Sequence, residues 1–258
     1  MNRKVIYTCI TGNYDKLLQP LVVDDSFDYI CFTDKLIDKS DGVWLFRQLP
    51  SMQIDNQKLS RYPKMHPHLL LKEYDYSIYV DANILIQQVS FYESINSCIK
   101  SDIKLAGIKH PKMNCLYEEF FNVYKQRKEL NIFELRKQYK AVKSSGFPCN
   151  FGMYEANIIF RKHKDPQVVS QCEDWWSMFV KFTKRDQLSY SYTLWKNNLK
   201  FWYIMRGCTL HSTEEEPYRI ISHPKRSERC SNVFFNKLFF KIIPNKYSKK
   251  MFYTIMNI

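Results

Sequence analysis

The chain has 258 residues, of which 45% are hydrophobic and 16% aromatic, with 18 Phe, 18 Tyr and 5 Trp. A chain of this length and apolarity buries a real core, which excludes a disordered protein, and 6 Gly with 10 Pro exclude a collagen-like or linker-rich design. Lys and Arg number 39 against 26 Asp and Glu, a formal charge of +13, and the eight cysteines are scattered without a C-x-x-C, which argues against a zinc ribbon and for a reduced, cytoplasmic setting.

In chain order, KVIYTCI (4–10) is a short run rich in β-branched residues, ended by the turn-like Thr11-Gly12-Asn13-Tyr14-Asp15. FDYICF (27–32) and GVWLFR (42–47) read as two further strands. Residues 59–74 carry Arg61, Lys64, His66 and His68, and their Leu69-Leu70-Leu71 end looks helical, despite Pro63 and Pro67. YSIYV (76–80) is a strand that runs straight into Asp81-Ala82-Asn83 and then ILI (84–86). A strand over 103–108, a long amphipathic helix over 117–139, a Gly/Pro loop over 144–152 and a strand NIIFR (157–161) follow. Helices over 166–183 and 186–197 and a late strand over 201–205 complete the pattern. Strands alternating with helices predict an α/β fold with a mainly parallel or mixed sheet and no internal boundary. No run of roughly 18 apolar residues occurs, so no transmembrane helix is expected, and the first residues lack the apolar stretch of a signal peptide.

The composition changes near residue 225. Residues 225–258 carry eight basic side chains against one acid, Glu228, so +7 of the +13 lies in the last 34 residues. Phe234, Phe235, Leu238, Phe239 and Phe240 interleave with the lysines there. The chain thus divides into a body, 1–224, and a basic aromatic tail, 225–258. One reading of the tail is contact with an anionic membrane surface, at the inner face of the plasma membrane. The other is a terminal helix packed on its own domain. No helix-turn-helix, RNP-type or zinc-finger pattern supports a nucleic-acid partner.

Several small constellations have the residue types for chemistry. Asp81 and Asn83 follow a strand, where open α/β sheets bind ligands. At i and i+2 their oxygens can converge on one hard cation such as Mg²⁺ or Mn²⁺, or simply form a strand-end turn. Arg61 and Lys64 can contact phosphate oxygens, or sit on a solvated basic face. Thr8, Thr11, Gly12, Asn13 and Tyr14 can cradle a nucleotide with backbone N–H groups and stack on a base, and Asp34 can accept hydrogen bonds from a base or ribose; each also fits an ordinary turn. Asp186, before Gln187, suits a helix N-cap or, facing a cleft, a group that orients or deprotonates an acceptor hydroxyl. His110 and His223, each before a proline, stand at loop positions where a cation or phosphate ligand is possible, although a lone histidine more often serves structure.

The stretches VIYTCITGNYD, DYICFTD, SRYPKMHPHLLL, YSIYVDANILI, IKHPKMNCLYEE, MYEANIIFRKH and WWSMFVKFTKRDQLSYSY occur in this order over roughly residues 4–195. Together they resemble a glycosyltransferase-like family long known as a domain of unknown function. It is found in bacterial surface-polysaccharide loci, and its plant members are associated with pectin and mucilage synthesis. The resemblance implies a GT-A-like, Rossmann-like mixed sheet flanked by helices, in a single domain with a basic C-terminal tail. It further implies a Leloir transferase that moves a sugar from a nucleotide-sugar donor to a glycan or lipid-linked acceptor. On that pattern Thr8, Gly12, Tyr14 and Asp34 bind the nucleotide, and Arg61 and Lys64 hold the diphosphate. Asp81 and Asn83 occupy the D-x-D position of a divalent metal site, where Asn83 departs from the second Asp, and His223 completes the shell. Asp186 and Gln187 lie at the sugar and acceptor face. Asp186 is the base if the reaction inverts; either residue stabilises the oxocarbenium-like state or positions the sugar if it retains. Two other readings stay open: a non-catalytic polysaccharide or nucleic-acid binding module, and a lipid-amide hydrolase, a ceramidase activity having been proposed for a plant relative. For the last, no G-x-S-x-G elbow and no H-E-x-x-H occur.

Overall fold

In KVIYTCI alternate side chains must face opposite ways once the segment is extended, and nearly all are apolar, so both faces need cover. The computed structural model, which describes residues 3–12, 15–35, 40–207, 215–222 and 245–257, shows that outcome. Strand β1 (Lys4–Ile10) turns Val5, Tyr7 and Cys9 to one apolar cluster and Ile6 to another. It lies inside an eight-stranded sheet of order β3-β4-β2-β1-β5-β8-β7-β9. In that sheet β2 (Asp28–Thr33) and β5 (Tyr76–Val80) flank β1 and run parallel to it, and β4 (Trp44–Gln48) runs parallel to β2. On the other side β8 (Tyr154–Arg161) is antiparallel to both β5 and β7 (Leu105–Lys109). The two-residue strands β3 (Ser40–Asp41) and β9 (Trp202–Tyr203) close the edges. Short β6 (Ile84–Ile86) pairs separately with β10 (Tyr218–Ile220), antiparallel.

Helices cover both faces. Helix α1 (Asn56–Met65), continued after a break at His66 by α2 (Pro67–Leu70), packs on the Tyr7 face with α6 (Pro166–Lys181) and α7 (Gln187–Lys196). Helix α3 (Val89–Lys100) covers the other face through Phe91, Tyr92, Ile95 and Cys98. A third apolar cluster joins α4 (Leu116–Lys125), α5 (Ile132–Ser144) and α8 (Asn245–Asn257), with Leu188 of α7. This is the α/β mixed sheet flanked by helices, in one domain, that the sequence predicts, and it is consistent with a GT-A-like fold. Among the described residues no helix is long and apolar enough to cross a membrane.

Several expectations are corrected. The helical end expected at 69–71 is only the short second of two helices, α1 being the longer, and they are separate because the residue before Pro67 is pushed out of helical geometry: His66 has φ −129° and ψ 44°. The long helix of 117–139 is a hairpin, reversed where Arg127 takes φ +52° and restarted by Asn131, whose side chain accepts the Glu134 N–H. Helix α3 and strand β10 were not anticipated. The tail is also only partly as expected. Residues 245–257 form α8, and its Phe252 and Met256 are fully buried against α4 and α5, with the Phe252 ring 5.5 Å from Phe121 and 5.3 Å from Tyr124. The Phe252 and Met256 side of that helix serves the core, as in the reading of a terminal helix packed on its own domain, while Tyr247 and Met251 are exposed. The remaining tail, with Phe234 to Phe240, lies outside the described residues.

Candidate functional site

The strands β1, β2 and β4 step away to one side while β5 lies on the other side of β1, so the chain changes direction between β1 and β5. Beyond the carboxyl ends of such a strand pair an open sheet leaves its crevice. Thr11 and Gly12 emerge there from β1, and Asp81 from β5.

Helix α1 brings cations to the same place. Asp55 caps its first turn by accepting the Lys58 N–H, and Arg61 and Lys64, three residues apart, share a face of the helix. Lys64 is buried, its side chain 2% exposed. Its ammonium lies 2.7 Å from Asp186 Oδ2 and 3.4 Å from Asp81 Oδ1, and 4.9 Å above the Tyr79 ring. Arg61 Nε donates to the same Asp186 oxygen at 3.2 Å. Tyr79 donates its hydroxyl to Asp81 Oδ1 at 2.8 Å, and Trp175 donates its indole N–H to the Asp186 carbonyl at 2.9 Å. The result is a compact arrangement of two cations and two carboxylates. Burial by itself raises a carboxyl, but Lys64 and then Arg61 outweigh it and hold Asp186 well below the usual carboxylate range. Burial likewise opposes the Arg61 charge, and Asp186 with Asp81 and Tyr79 overcomes it.

The sequence reasoning gave Asp186 two alternatives, cap and cleft residue, and the geometry combines them. Asp186 Oδ1 accepts the Gln187 N–H at 3.1 Å at the start of α7, while Oδ2 takes both cations. A carboxylate so engaged is a weak base, which corrects the expectation that it deprotonates an acceptor. Gln187 is corrected as well. Its amide spans the β8 backbone, accepting from the Ala156 N–H at 3.2 Å and donating to the Tyr154 carbonyl, so it does not face a sugar. It satisfies backbone groups of β8 that lie past the end of the β5 pairing, which stops at Val80 and Ile158.

At the β7–β8 register slip between Gly107 and Ile108 stands a further acid, Glu155, that no sequence motif singles out. Glu155 on β8 accepts from Asn157 Nδ2 at 2.9 Å, and the Asn157 carbonyl takes the Asp81 N–H at 2.8 Å. Burial pushes the Glu155 carboxyl up to about 7, against the pull of the Asn157 hydrogen bond and with help from the nearby Asp81 charge. The Asn157 side-chain oxygen is buried without a partner. The only signal was the MYEAN segment, whose acid looks like part of a turn.

Around the nucleotide expectation, Gly12 donates its N–H to Asp34 Oδ2 at 3.0 Å, and Thr11 donates its hydroxyl to the Asn56 carbonyl at 3.1 Å. Gly12 has φ +61°, where any other side chain would be strained, and a Cβ there would also press on the end of the Asn56 side chain at 3.0 Å. Asp34 thus ties the β1 loop rather than standing free. Thr8 lies within β1, its hydroxyl buried without a partner. Asn13, Tyr14 and His223 lie outside the described residues. His110 is not brought to the cluster by any described contact. Its Nδ1 accepts the N–H groups of Lys112 and Met113 at 3.2 and 3.0 Å, which caps its own loop, and burial with Lys128 and Lys112 lowers its pKa.

Oxygen donors for a cation are limited. Asn83 donates its amide to the Ile221 carbonyl at 2.9 Å, which leaves its own carbonyl oxygen as an acceptor, and Asp81 retains Oδ2. Among the described residues no three His, Cys, Asp or Glu gather to hold a metal ion. Those two hard oxygens fit Mg²⁺ or Mn²⁺ in the manner of sites that take one or two protein oxygens and complete the shell with substrate phosphate and water.

Comparison with the curated proteins finds no match for the chain. A family model, the TOD1/MUCI70 glycosyltransferase-like domain, matches residues 38–213. That span holds α1, Asp81, Glu155 and Asp186, so the cluster at the β1–β5 crevice is part of the shared domain. The chain belongs to the TOD1/MUCI70 glycosyltransferase-like family.

Proposed function

We propose that the protein is a Leloir transferase, moving a sugar from a nucleotide-sugar donor to a glycan or lipid-linked acceptor. The observation that carries this reading is the buried Lys64 ammonium set between Asp81 and Asp186 at the crevice, with Arg61 beside it. Cleavage of an anomeric C–O bond leaves a nucleoside diphosphate with an added negative charge. Fixed cations at that point stabilise the transition state more than the ground state. In this assignment Lys64 and Arg61 face the diphosphate, and Asp186 holds both in place at no cost in reorganisation. Asp81 Oδ2 and the Asn83 carbonyl oxygen would hold a divalent cation, which supplies further charge neutralisation to the departing diphosphate. Glu155, whose carboxyl titrates near neutrality, takes the proton of the acceptor hydroxyl. The Gly12 loop, tied by Asp34, borders the nucleotide.

The test is turnover of labelled UDP-, GDP-, CMP- and dTDP-sugars by the folded protein with Mn²⁺ present. Hydrolysis or transfer of one donor, lost in Asp81→Ala, is expected. Folded protein that neither binds nor turns over any of them would overturn the assignment.

A further inference from the structure

Leu130 and Phe133 are the most exposed large hydrophobic side chains among the described residues, each 76% exposed. They stand three positions apart at the tip of the α4–α5 hairpin, while neighbouring Ile132 and Leu135 turn inward to the helical cluster. The tip is therefore firmly backed, and two apolar side chains project from it. Residues 125–143 carry seven basic side chains (Lys125, Arg127, Lys128, Arg136, Lys137, Lys140, Lys143) against Glu129 and Glu134, a net +5. Lys128, Lys137, Lys140 and Lys143 are exposed. Isolated exposed apolar residues are ordinary on protein surfaces. A pair at one hairpin tip, with cations at the tip and along the helices that carry it, is the arrangement that meets a lipid headgroup layer, with the apolar groups at the acyl boundary and the lysines at phosphates.

We infer that the α4–α5 tip docks the protein on an anionic phospholipid bilayer, Leu130 and Phe133 entering the interface. A second copy of this chain fits less well. A two-fold contact would set one +5 surface against another, and two projecting side chains offer little flat area to bury. Nucleic acid would use the lysines but gain nothing from Leu130 and Phe133.

The experiment is cosedimentation of the full chain with vesicles of phosphatidylcholine alone and of phosphatidylcholine with phosphatidylglycerol. The wild-type protein is expected on the anionic vesicles only. Leu130→Asp/Phe133→Asp is expected to weaken that binding by at least about tenfold. The thermal midpoint is expected to stay unchanged, because both side chains are in solvent. Lys137→Glu/Lys140→Glu is expected to weaken it too. The inference is overturned by equal binding to neutral vesicles, by absence of binding, or by undiminished binding of the double Asp variant, which would place the contact elsewhere, such as residues 225–244. A concentration-dependent dimer in sedimentation that the double Asp variant abolishes would assign the tip to self-association and overturn it as well. So would nucleic-acid binding that the Lys variants lose and the Asp variant keeps.

Discussion

Two cations are buried on the same face of the sheet, and they are treated in opposite ways. Lys64 sits between two carboxylates, with a third contact to the Tyr79 ring. Arg161, at the end of β8 and fully buried, has no carboxylate contact among the described residues. Its Nη1 donates to the Tyr7 hydroxyl at 3.2 Å, while among the described residues its Nε and Nη2 have no hydrogen-bond partner and the Tyr190 hydroxyl is likewise buried without one. Trp175 lies against both, its ring 5.8 Å from Lys64 and 5.9 Å from Arg161. A buried charge costs heavily unless paired, and a pair is weak evidence for stability but strong evidence for a fixed position. The contrast separates a cation placed for use, open to the crevice through partly exposed Asp81 and Arg61, from one enclosed within the core.

The sharpest way to break this comparison is to remove each charge while keeping its volume. Lys64→Met leaves Asp81 and Asp186 without their shared cation. Turnover of the donor is expected to fall at least about 100-fold, and stability in a urea titration by about 3 kcal/mol. A variant with wild-type turnover would sever Lys64 from the chemistry.

The pH dependence sharpens it further. Asp186 is held below its unfolded value, so its contribution to stability is full above the unfolded carboxyl range and is lost as pH falls from that range through the lower folded value. Glu155 is held above its own. Between about 4.5 and about 7 the folded state keeps a proton that the unfolded chain has released, so this group makes stability decline as pH rises through that window. Glu155→Gln is expected to flatten the neutral limb and gain about 2 kcal/mol at pH 8, read from urea midpoints at pH 5 and pH 8. The same variant should lose the rise in turnover near pH 7. A neutral limb unchanged by the substitution would place the titration elsewhere.

The smallest effect belongs to the enclosed cation. Arg161→Met trades an incompletely bonded charge for apolar volume, and its stability should stay within about 1 kcal/mol of wild type with turnover retained. A large loss in the same urea titration would mean that Arg161 is satisfied by groups not seen as its partners.

How much of this was legible varies by kind of signal. The ends of β1 and β5 were readable because a continuous apolar run stops abruptly before Gly12 and at Asp81. Arg61 and Lys64 were readable as a cationic face, and the structure adds that Lys64 is buried rather than solvated. Helix α3 was missed although Phe91, Tyr92, Ile95 and Cys98 have helical spacing. Its serines and asparagine dilute helix propensity, and Gln88 makes no side-chain cap bond. The α4–α5 reversal carries no Gly or Pro, and a non-glycine residue in left-handed geometry leaves no mark in the sequence. Gln187 and Glu155 were beyond reach for one reason: both roles depend on how β8 meets its neighbouring strands, where β5 stops short of it and β7 slips in register, and this is set by packing of distant segments and by no local pattern.

Trp175 touches both cations and also holds the Asp186 carbonyl. The two charge sites therefore share a single wall, and their energies are not separable. In a double-mutant cycle Lys64→Met and Arg161→Met should depart from additivity by more than the few tenths of a kcal/mol seen between unconnected positions. An alteration deep in the interior can then be felt at the crevice without any residue of the crevice having changed.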